Sequence, residues 1–236
     1  MKMLYSEFTI ILPTLNEAKN IRGLITEITN CYKDIFIIVS DDGSIDDTKD
    51  MVMSFQKQRI FFLDRRDERS HGLTASILSA SKLVSTRYFI VMDADTQHPV
   101  ETVKEIIDSL LAGAKLAMAS RKTVEGRWPI SRKSISYLGN FLGKLSLLIR
   151  GRGYLGYDVL TGFFGVETDF WKRIVFEENK VAGFRLRGYK ILFDFLKVMP
   201  RNIPVENIHY IFGARKKGAS KLNMKVYAEF LKAVFL

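Results

Sequence analysis

The feature that most restricts the fold is an alternation running through the first 119 residues. Short apolar runs stop on polar clusters, and each is followed by a segment with apolar residues at helical spacing. Residues 8–12 read as a first strand that Pro13 ends, and 16–32 as a helix with Ile21, Leu24, Ile25 and Ile28 on one face. A strand over 34–40, a helix over 48–58 and a strand over 60–63 follow. Leu73, Ile77, Ala80 and Val84 mark another helix before a strand over 88–92. Val103, Ile106, Ile107 and Leu110 mark the next helix, and 116–119 is again a strand. Strands alternating with helices predict an α/β fold, a mostly parallel sheet with helices on both faces. Such sheets bind ligands outside the carboxyl ends of their strands. Pro13-Thr14-Leu15-Asn16-Glu17, Asp41-Asp42 and Asp93-Ala94-Asp95 all follow strands, so three polar clusters converge on one rim.

The third cluster, Asp93-Ala94-Asp95-Thr96-Gln97-His98-Pro99, carries the most chemistry. Asp93 and Asp95 are two residues apart, which in extended chain points both to one face. A hard divalent cation takes oxygen ligands of this kind and completes its shell with substrate phosphates. Pro99 opens the next helix, where its missing N–H costs nothing. The plainer alternative is an acidic turn in which Asp caps that helix. Asp41 is placed to accept from a nucleobase ring N–H, which guanine and uracil both offer, and Glu17 to take a ribose hydroxyl. The plain alternative for 41–44 is a turn, since Asp and Gly are ordinary turn residues. No G-x-G-x-x-G or Walker sequence follows the first strand, which argues against a dinucleotide or P-loop enzyme.

Charge separates the rest of the chain from this half. The net charge is +10, which calls for an anionic partner: nucleic acid, a membrane surface or phosphorylated substrates. From Arg121 to Arg152 there are eight Lys or Arg residues and one acidic residue, Glu125. Ile135, Leu138, Leu142, Leu145 and Ile149 recur at helical spacing within this segment. A basic amphipathic helix can lie on an anionic membrane, or pack on the core with its basic face solvated. Arg121, Arg127, Arg132 and Lys133 gather before it, and Arg forks suit phosphate oxygens. Beyond lie an apolar, strand-like piece over 158–167, with Trp171 and Phe170 expected in the core, a helix over 183–198 and a strand over 203–212. Residues 213–221 form a basic loop with Arg215 and Lys221, able to close on a diphosphate or merely to sit in solvent. Val226, Phe230 and Val234 mark a last helix. Cys31 is the only cysteine, which excludes an internal disulfide framework and suits a reducing compartment. No secretory signal pattern opens the chain, and no run of about 18 apolar residues suggests a membrane span.

Together these residues resemble the family 2 glycosyltransferases of GT-A fold, and within them the dolichyl-phosphate mannose synthases, from Phe8 to about Phe230. Pro13 to Glu17 with Asn20-Ile21 is similar to the opening signature, and Asp41-Asp42-Gly43-Ser44 with Asp46 and Thr48 to the nucleotide-binding turn. The resemblance implies that Pro13, Thr14, Asn16, Glu17, Asp41, Asp93, Ala94, Asp95, Arg215 and Lys221 bind the donor. It implies that Asp95 and Gln97 hold Mg²⁺ or Mn²⁺. Ser120-Arg121 with Arg132 and Ser136 resemble the acceptor-phosphate site. Asp158 with Gly162-Phe163-Phe164, and the stretch from Phe212 through Arg215 to Lys221, match later signatures. Two places depart from the pattern. His71-Gly72-Leu73-Thr74-Ala75 replaces a glycine-rich Gly-Leu-Gly-x-Ala, and Arg127-Trp128-Pro129 rearranges the acceptor segment.

The resemblance further implies one GT-A domain over 1–236, with 1–119 as the nucleotide-sugar half and 120–236 as the acceptor half. Such a domain would move mannose from GDP-mannose onto dolichyl or another polyprenyl phosphate with inversion, peripherally at the cytoplasmic side of a membrane. Asp93, Asp95, Arg121 and Arg132 would carry the catalysis. A phosphate monoester has a second pKa of about 6, so it arrives anionic and needs no general base. UDP-glucose is an alternative donor, because Asp41 does not separate guanine from uracil. Transfer to a sugar hydroxyl is a second alternative and would need a carboxylate base. A nucleic-acid-binding module is a third, and no interleaved basic and aromatic strand supports it.

Overall fold

The computed structural model describes residues 5–55, 59–125, 130–186, 188 and 190–214, with side chains of the long basic helix described from Ser136 onward. The order is β1 (Phe8–Thr14), α1 (Ala18–Cys31), β2 (Phe36–Asp41), α2 (Thr48–Met53), β3 (Ile60–Asp64), α3 (Leu73–Leu83), β4 (Tyr88–Val91) and α4 (Thr102–Leu111). Then come β5 (Leu116–Val124), α5 (Ile130–Ile149), β6 (Phe164–Glu167), α6 (Thr168–Lys172), α7 (Ile191–Val198) and β7 (Val205–Phe212). They build one seven-stranded sheet in the order β3-β2-β1-β4-β6-β5-β7. Every neighbouring pair is parallel except the two that β6 makes, antiparallel to β4 and to β5.

The alternation of side chains along each strand divides the core between the two faces. On one face Ile10, Leu12, Ile37, Val39 and Ile90 meet Ile21, Leu24, Ile25 and Ile28 of α1 and Val103, Ile106, Ile107 and Leu110 of α4. On the other, Ile11, Phe89, Val91, Met118 and Phe164 meet Ile77 of α3, Trp171 of α6 and Phe195 of α7. Trp171 is fully buried, as expected of a core residue, and its indole N–H donates to the Ser81 hydroxyl at 3.1 Å. At Gly165 a Cβ would stand 2.9 Å from Leu110 Cδ1 and closer still to Ile106, so α4 presses directly on β6.

Three expectations about elements need correction. Pro13 does not end β1, which pairs with β2 through Thr14 opposite Asp41. The side of β1 that faces β4 carries Ile11 and Pro13, and β4 ends at Val91 opposite Ile11. At Pro13 no neighbouring strand asks for an N–H, so proline is tolerated. The helix expected over 183–198 begins only at Ile191. The preceding turn is held elsewhere: the carbonyls of Leu186 and Gly188 accept from the N–H groups of Ala75 and Thr74 at the start of α3. Of the strand-like piece over 158–167, only Phe164–Glu167 pairs. Its first half is a loop at the rim, where Asp158 and Thr161 turn the chain by bonding their own neighbours.

Candidate active site

The loops after β1 and β2 are one hydrogen-bonded unit. Thr14 Oγ1 donates to Asp41 Oδ2 at 2.8 Å. Ser44 donates to Asp41 through its N–H at 2.7 Å and its hydroxyl at 2.5 Å, and Gly43 N donates at 3.2 Å. Asn16, at φ 54°, donates its N–H to Ser44 Oγ at 2.7 Å and accepts from Ile45 N at 2.9 Å. Glu17 N–H donates to Thr48 Oγ1 at 2.9 Å, and its carboxylate accepts from the Asn20 amide at 2.8 Å. Asp41 is only 1% exposed, and these donors occupy both its oxygens. Any further donor can therefore reach it only by displacing one of them, and the hydroxyls of Thr14 and Ser44 are the two that can rotate away. The second acid, Asp42, pairs with buried Arg65 and with His71 at 3.3 Å. It also accepts from Gly72 N at 2.6 Å. Gly72 has φ 129°, a conformation side chains disfavour, so the glycine of the departing His71-Gly72 pair is what lets this loop hang on Asp42.

At the end of β4 the chain leaves the sheet after Val91, so a turn, and not strand periodicity, sets the directions of Asp93 and Asp95. Thr96 takes φ 61° there. Asp95 is 8% exposed and its Oδ1 accepts from Gln97 N at 3.1 Å. Buried Gln97 is clasped by Gly213: its amide nitrogen donates to Gly213 O at 2.9 Å, and its backbone carbonyl accepts from Gly213 N at 2.8 Å. Ala94 is buried between the acids. Among the described residues no three His, Cys, Asp or Glu side chains form a metal cluster. One carboxylate and one carboxamide, both oxygen donors, instead fit a hard cation that completes its shell from substrate and water.

Asp93 turns the other way. Its Oδ2 lies 3.3 Å from His98 Nε2, and the carboxylate rests on Gly162, where a Cβ would be 3.2 Å from both oxygens. Beyond β6, Arg121, three residues before the end of β5, donates Nε to Asp158 Oδ2 at 2.6 Å. The guanidinium lies 5.6 Å from the ring centre of Phe212. Burial works against both charges, but each partner outweighs it: Asp158 is held below the usual carboxylate range and Arg121 above its ordinary value. Lys190 Nζ joins this group through the carbonyl of Leu160. Burial, then Arg121, press its pKa down to about 8, against the pull of Asp158 and Asp93.

Sequence reasoning did not find Lys190, which lies inside the segment read as a continuous helix, nor Tyr210, which lies inside a strand. Arg132 is on the backbone of α5, but its side chain lies outside the described residues, as do Arg215 and Lys221. Ser136 is half-buried on α5. Most of the described apolar stripe of α5 faces outward: Leu138, Leu145 and Ile149 are exposed, with Tyr137, Phe141 and Leu148 beside them, while Leu142 packs against the core and the side chain of Ile135 lies outside the described residues. The packed face is the smaller one of Gly143, Ser146 and Leu147, against Val159 and Phe193. No described helix is long and apolar enough to cross a membrane.

A mostly parallel sheet with one reversed strand, and an Asp-Ala-Asp turn after β4, make this a GT-A protein of the α/β class. Its fold is similar to that of glucosyl-3-phosphoglycerate synthase from Mycobacterium tuberculosis, solved in complex with Mn²⁺, uridine diphosphate and glucosyl-3-phosphoglycerate. The TM-score is 0.67 at 17% identity, covering 96% of this chain and 77% of that one. The profile described as Glycosyl transferase family 2 matches residues 9–175, and the chain belongs to that family. A dolichol-phosphate mannosyltransferase of Pyrococcus furiosus is 30% identical over 96% of this chain, which spans 62% of that relative's length. One from Saccharomyces cerevisiae is 27% identical over 95% of this chain and 84% of its own.

Proposed function

We propose that the chain transfers mannose from GDP-mannose to a dolichyl or other polyprenyl phosphate. The observation that carries this reading is the opposition of two kinds of group on one rim. The oxygen donors Asp95 and Gln97 follow β4, and the cations Arg121 and Lys190 gather with Asp158 beyond β6. An acceptor that is a sugar hydroxyl would call for a base on that second side, whereas an acceptor that is a phosphate calls for cations. The relatives named dolichol-phosphate mannosyltransferase support the same acceptor class and the choice of mannose.

In this reading the loops after β1 and β2 take the nucleoside, with Glu17 toward the ribose and Asp41 toward the base. Asp95 and Gln97 would hold Mg²⁺ or Mn²⁺, which would supply Lewis-acid charge to the leaving diphosphate. Arg215 and Lys221 are assigned to that diphosphate. Asp93 faces the reacting sugar. A phosphate oxygen of the acceptor forms the bond to the anomeric carbon as the bond from that carbon to the diphosphate breaks, and the configuration inverts. The monoester is already anionic at neutral pH, so no proton need be removed. Arg121, Lys190 and Arg132 offset the repulsion between two phosphates held close together. The pairing of Arg121 with Asp158 keeps the guanidinium fixed before the acceptor arrives, so little reorganisation is needed.

The outward apolar face of α5 supports a peripheral seat on a membrane, where a polyprenyl chain resides. The basic segment around it adds attraction to anionic lipid, about 1 kcal/mol per Lys or Arg near the surface. The test is a transfer assay pairing GDP-mannose and UDP-glucose, separately, with polyprenyl phosphate and with free mannose. Transfer from GDP-mannose to the lipid phosphate is expected. Preference for UDP-glucose would overturn the donor assignment, and transfer only to a sugar hydroxyl would overturn the acceptor.

A further inference from the structure

We propose that Tyr210 and His98 form a brace that fixes the direction of Asp93, making both positioning residues for the sugar-transfer step. The brace crosses the fold. Tyr210 comes from β7, His98 from the turn after β4, and the two lie 112 positions apart in sequence. The Tyr210 hydroxyl is 2.8 Å from His98 Nδ1, and His98 Nε2 is 3.3 Å from Asp93 Oδ2. With the hydroxyl donating to Nδ1, the ring hydrogen sits on Nε2 and is donated to the carboxylate. Burial raises the pKa of the phenol well above its ordinary value, so it stays a donor. His98 and Tyr210 are 4% and 5% exposed, against a half-exposed Asp93, so a rigid pair holds a carboxylate that opens to the rim.

Aromatic neighbours fix the imidazole plane. Phe163 lies 4.8 Å from it and Phe212 5.3 Å, ring centre to ring centre. On its opposite side Asp93 rests on Gly162, so the carboxylate is held between a donor and a wall with no side chain. A carboxylate near an anomeric centre that gains positive character acts through its direction as much as its charge. That role for Asp93 rests on the proposed reading in which it faces the donor sugar.

The test uses the whole chain with donor, metal and polyprenyl phosphate. Tyr210→Phe removes one hydroxyl and no packing; it should lower kcat about 5-fold and leave both KM values within about twofold. His98→Phe keeps the ring stack and should lower kcat about 30-fold, with the double variant no slower than His98→Phe alone, because in the brace the hydroxyl affects kcat through the imidazole and not through its other neighbour, Thr161. His98→Gln, whose amide can accept from Tyr210 and donate to Asp93, should recover to within about threefold of the parent. Additive losses, a rise in KM without a fall in kcat, or no recovery with Gln would overturn the brace. A second readout does not depend on turnover. In protein labelled with ¹⁵N-histidine, Nδ1 of His98 should resonate as a hydrogen-bonded acceptor, and Tyr210→Phe should move it. An unmoved resonance overturns the brace whatever the protein transfers. A moved resonance in a protein inactive with every nucleotide sugar keeps the brace and removes the functional reading instead.

Discussion

Raising the pH should slow this protein and, at one residue, steady it. Lys190 titrates at about 8 instead of the ordinary 10.5, because burial and Arg121 disfavour its charge more than Asp158 and Asp93 favour it. At pH 7 about nine-tenths of the ammonium is charged, and at pH 9 about one-tenth. If the charge holds the acceptor phosphate, transfer at limiting acceptor should fall about tenfold between those values. The neighbouring groups do not titrate in that window: Arg121 is shifted up, Tyr210 is shifted up by burial, and Asp158 is shifted down. Stability moves the other way. Between pH 8 and 10.5 the unfolded chain binds the proton that the folded chain has released, so this group's contribution rises with pH. Keeping the lysine charged costs the fold about 3 kcal/mol below pH 8, from 2.5 pKa units at 1.36 kcal/mol each, and that cost is relieved as pH rises to 10.5. The assays are initial rates from pH 6.5 to 9.5 and urea unfolding over the same range, for the parent, Lys190→Arg and Lys190→Met. Lys190→Arg should hold its rate to pH 9.5, and the stability gap between Lys190→Met and the parent should close as pH rises. A parent rate that stays flat to pH 9.5, or that falls equally in Lys190→Arg, would refute the role of this charge.

Metal, acceptor and membrane contacts each yield a further measurable outcome. EDTA should abolish transfer and Mg²⁺ or Mn²⁺ restore it, and Asp95→Ala should be inactive with an unchanged circular dichroism spectrum; turnover in verified metal-free protein refutes the assignment of Asp95 and Gln97. Arg121→Ala removes the main partner of buried Asp158, leaving it Lys190 and the Leu160 N–H, and should destabilise the fold by less than the about 3–5 kcal/mol of a fully uncompensated buried charge, read by urea unfolding. Arg132→Ala should instead slow transfer about 10- to 100-fold with GDP affinity by calorimetry unchanged, and matching losses in both would move Arg132 into the donor site. Phe141→Glu with Leu145→Glu should weaken flotation with anionic vesicles without lowering the melting temperature, and equal flotation would remove α5 from the membrane contact.

The α/β pattern is legible in the sequence because each strand and helix of the first half carries its own apolar period. Ile10 with Leu12 on one face and Ile11 on the other is visible in a window of a few residues. The acid clusters are legible for the same reason, as each stands directly after its strand. Less can be read where a residue's role depends on distant chain. Pro13 is tolerated in β1 because β4 stops opposite Ile11, two residues earlier. The helix over 183–198 is cut because α3 needs the carbonyls of Leu186 and Gly188. Lys190 becomes part of the site through Leu160 and Arg121, neither of them near it in sequence. The stripe on α5 has the right spacing for a core helix, and spacing does not distinguish an inward stripe from an outward one. Asp41 stands out as a candidate site residue and its turn with Ser44 is readable locally, yet nothing in that stretch reveals that Thr14 also engages it.

The reversed strand has a consequence for how far apart two parts of the site can be. β6 stands between β4 and β5, so the backbone that leads into Asp93 and the backbone that carries Arg121 are two strand steps apart, about 9.6 Å at roughly 4.8 Å each. Backbone hydrogen bonds hold that interval, and no side-chain substitution tunes it gradually. Because β6 runs backwards, it is the loop before it, with Asp158 and Gly162, that arrives at the rim, filling the gap without lengthening it. The spacing behaves as a ruler with coarse gradations: descendants of this chain can exchange the groups at either mark freely, but can move the marks only by gaining or losing a whole strand.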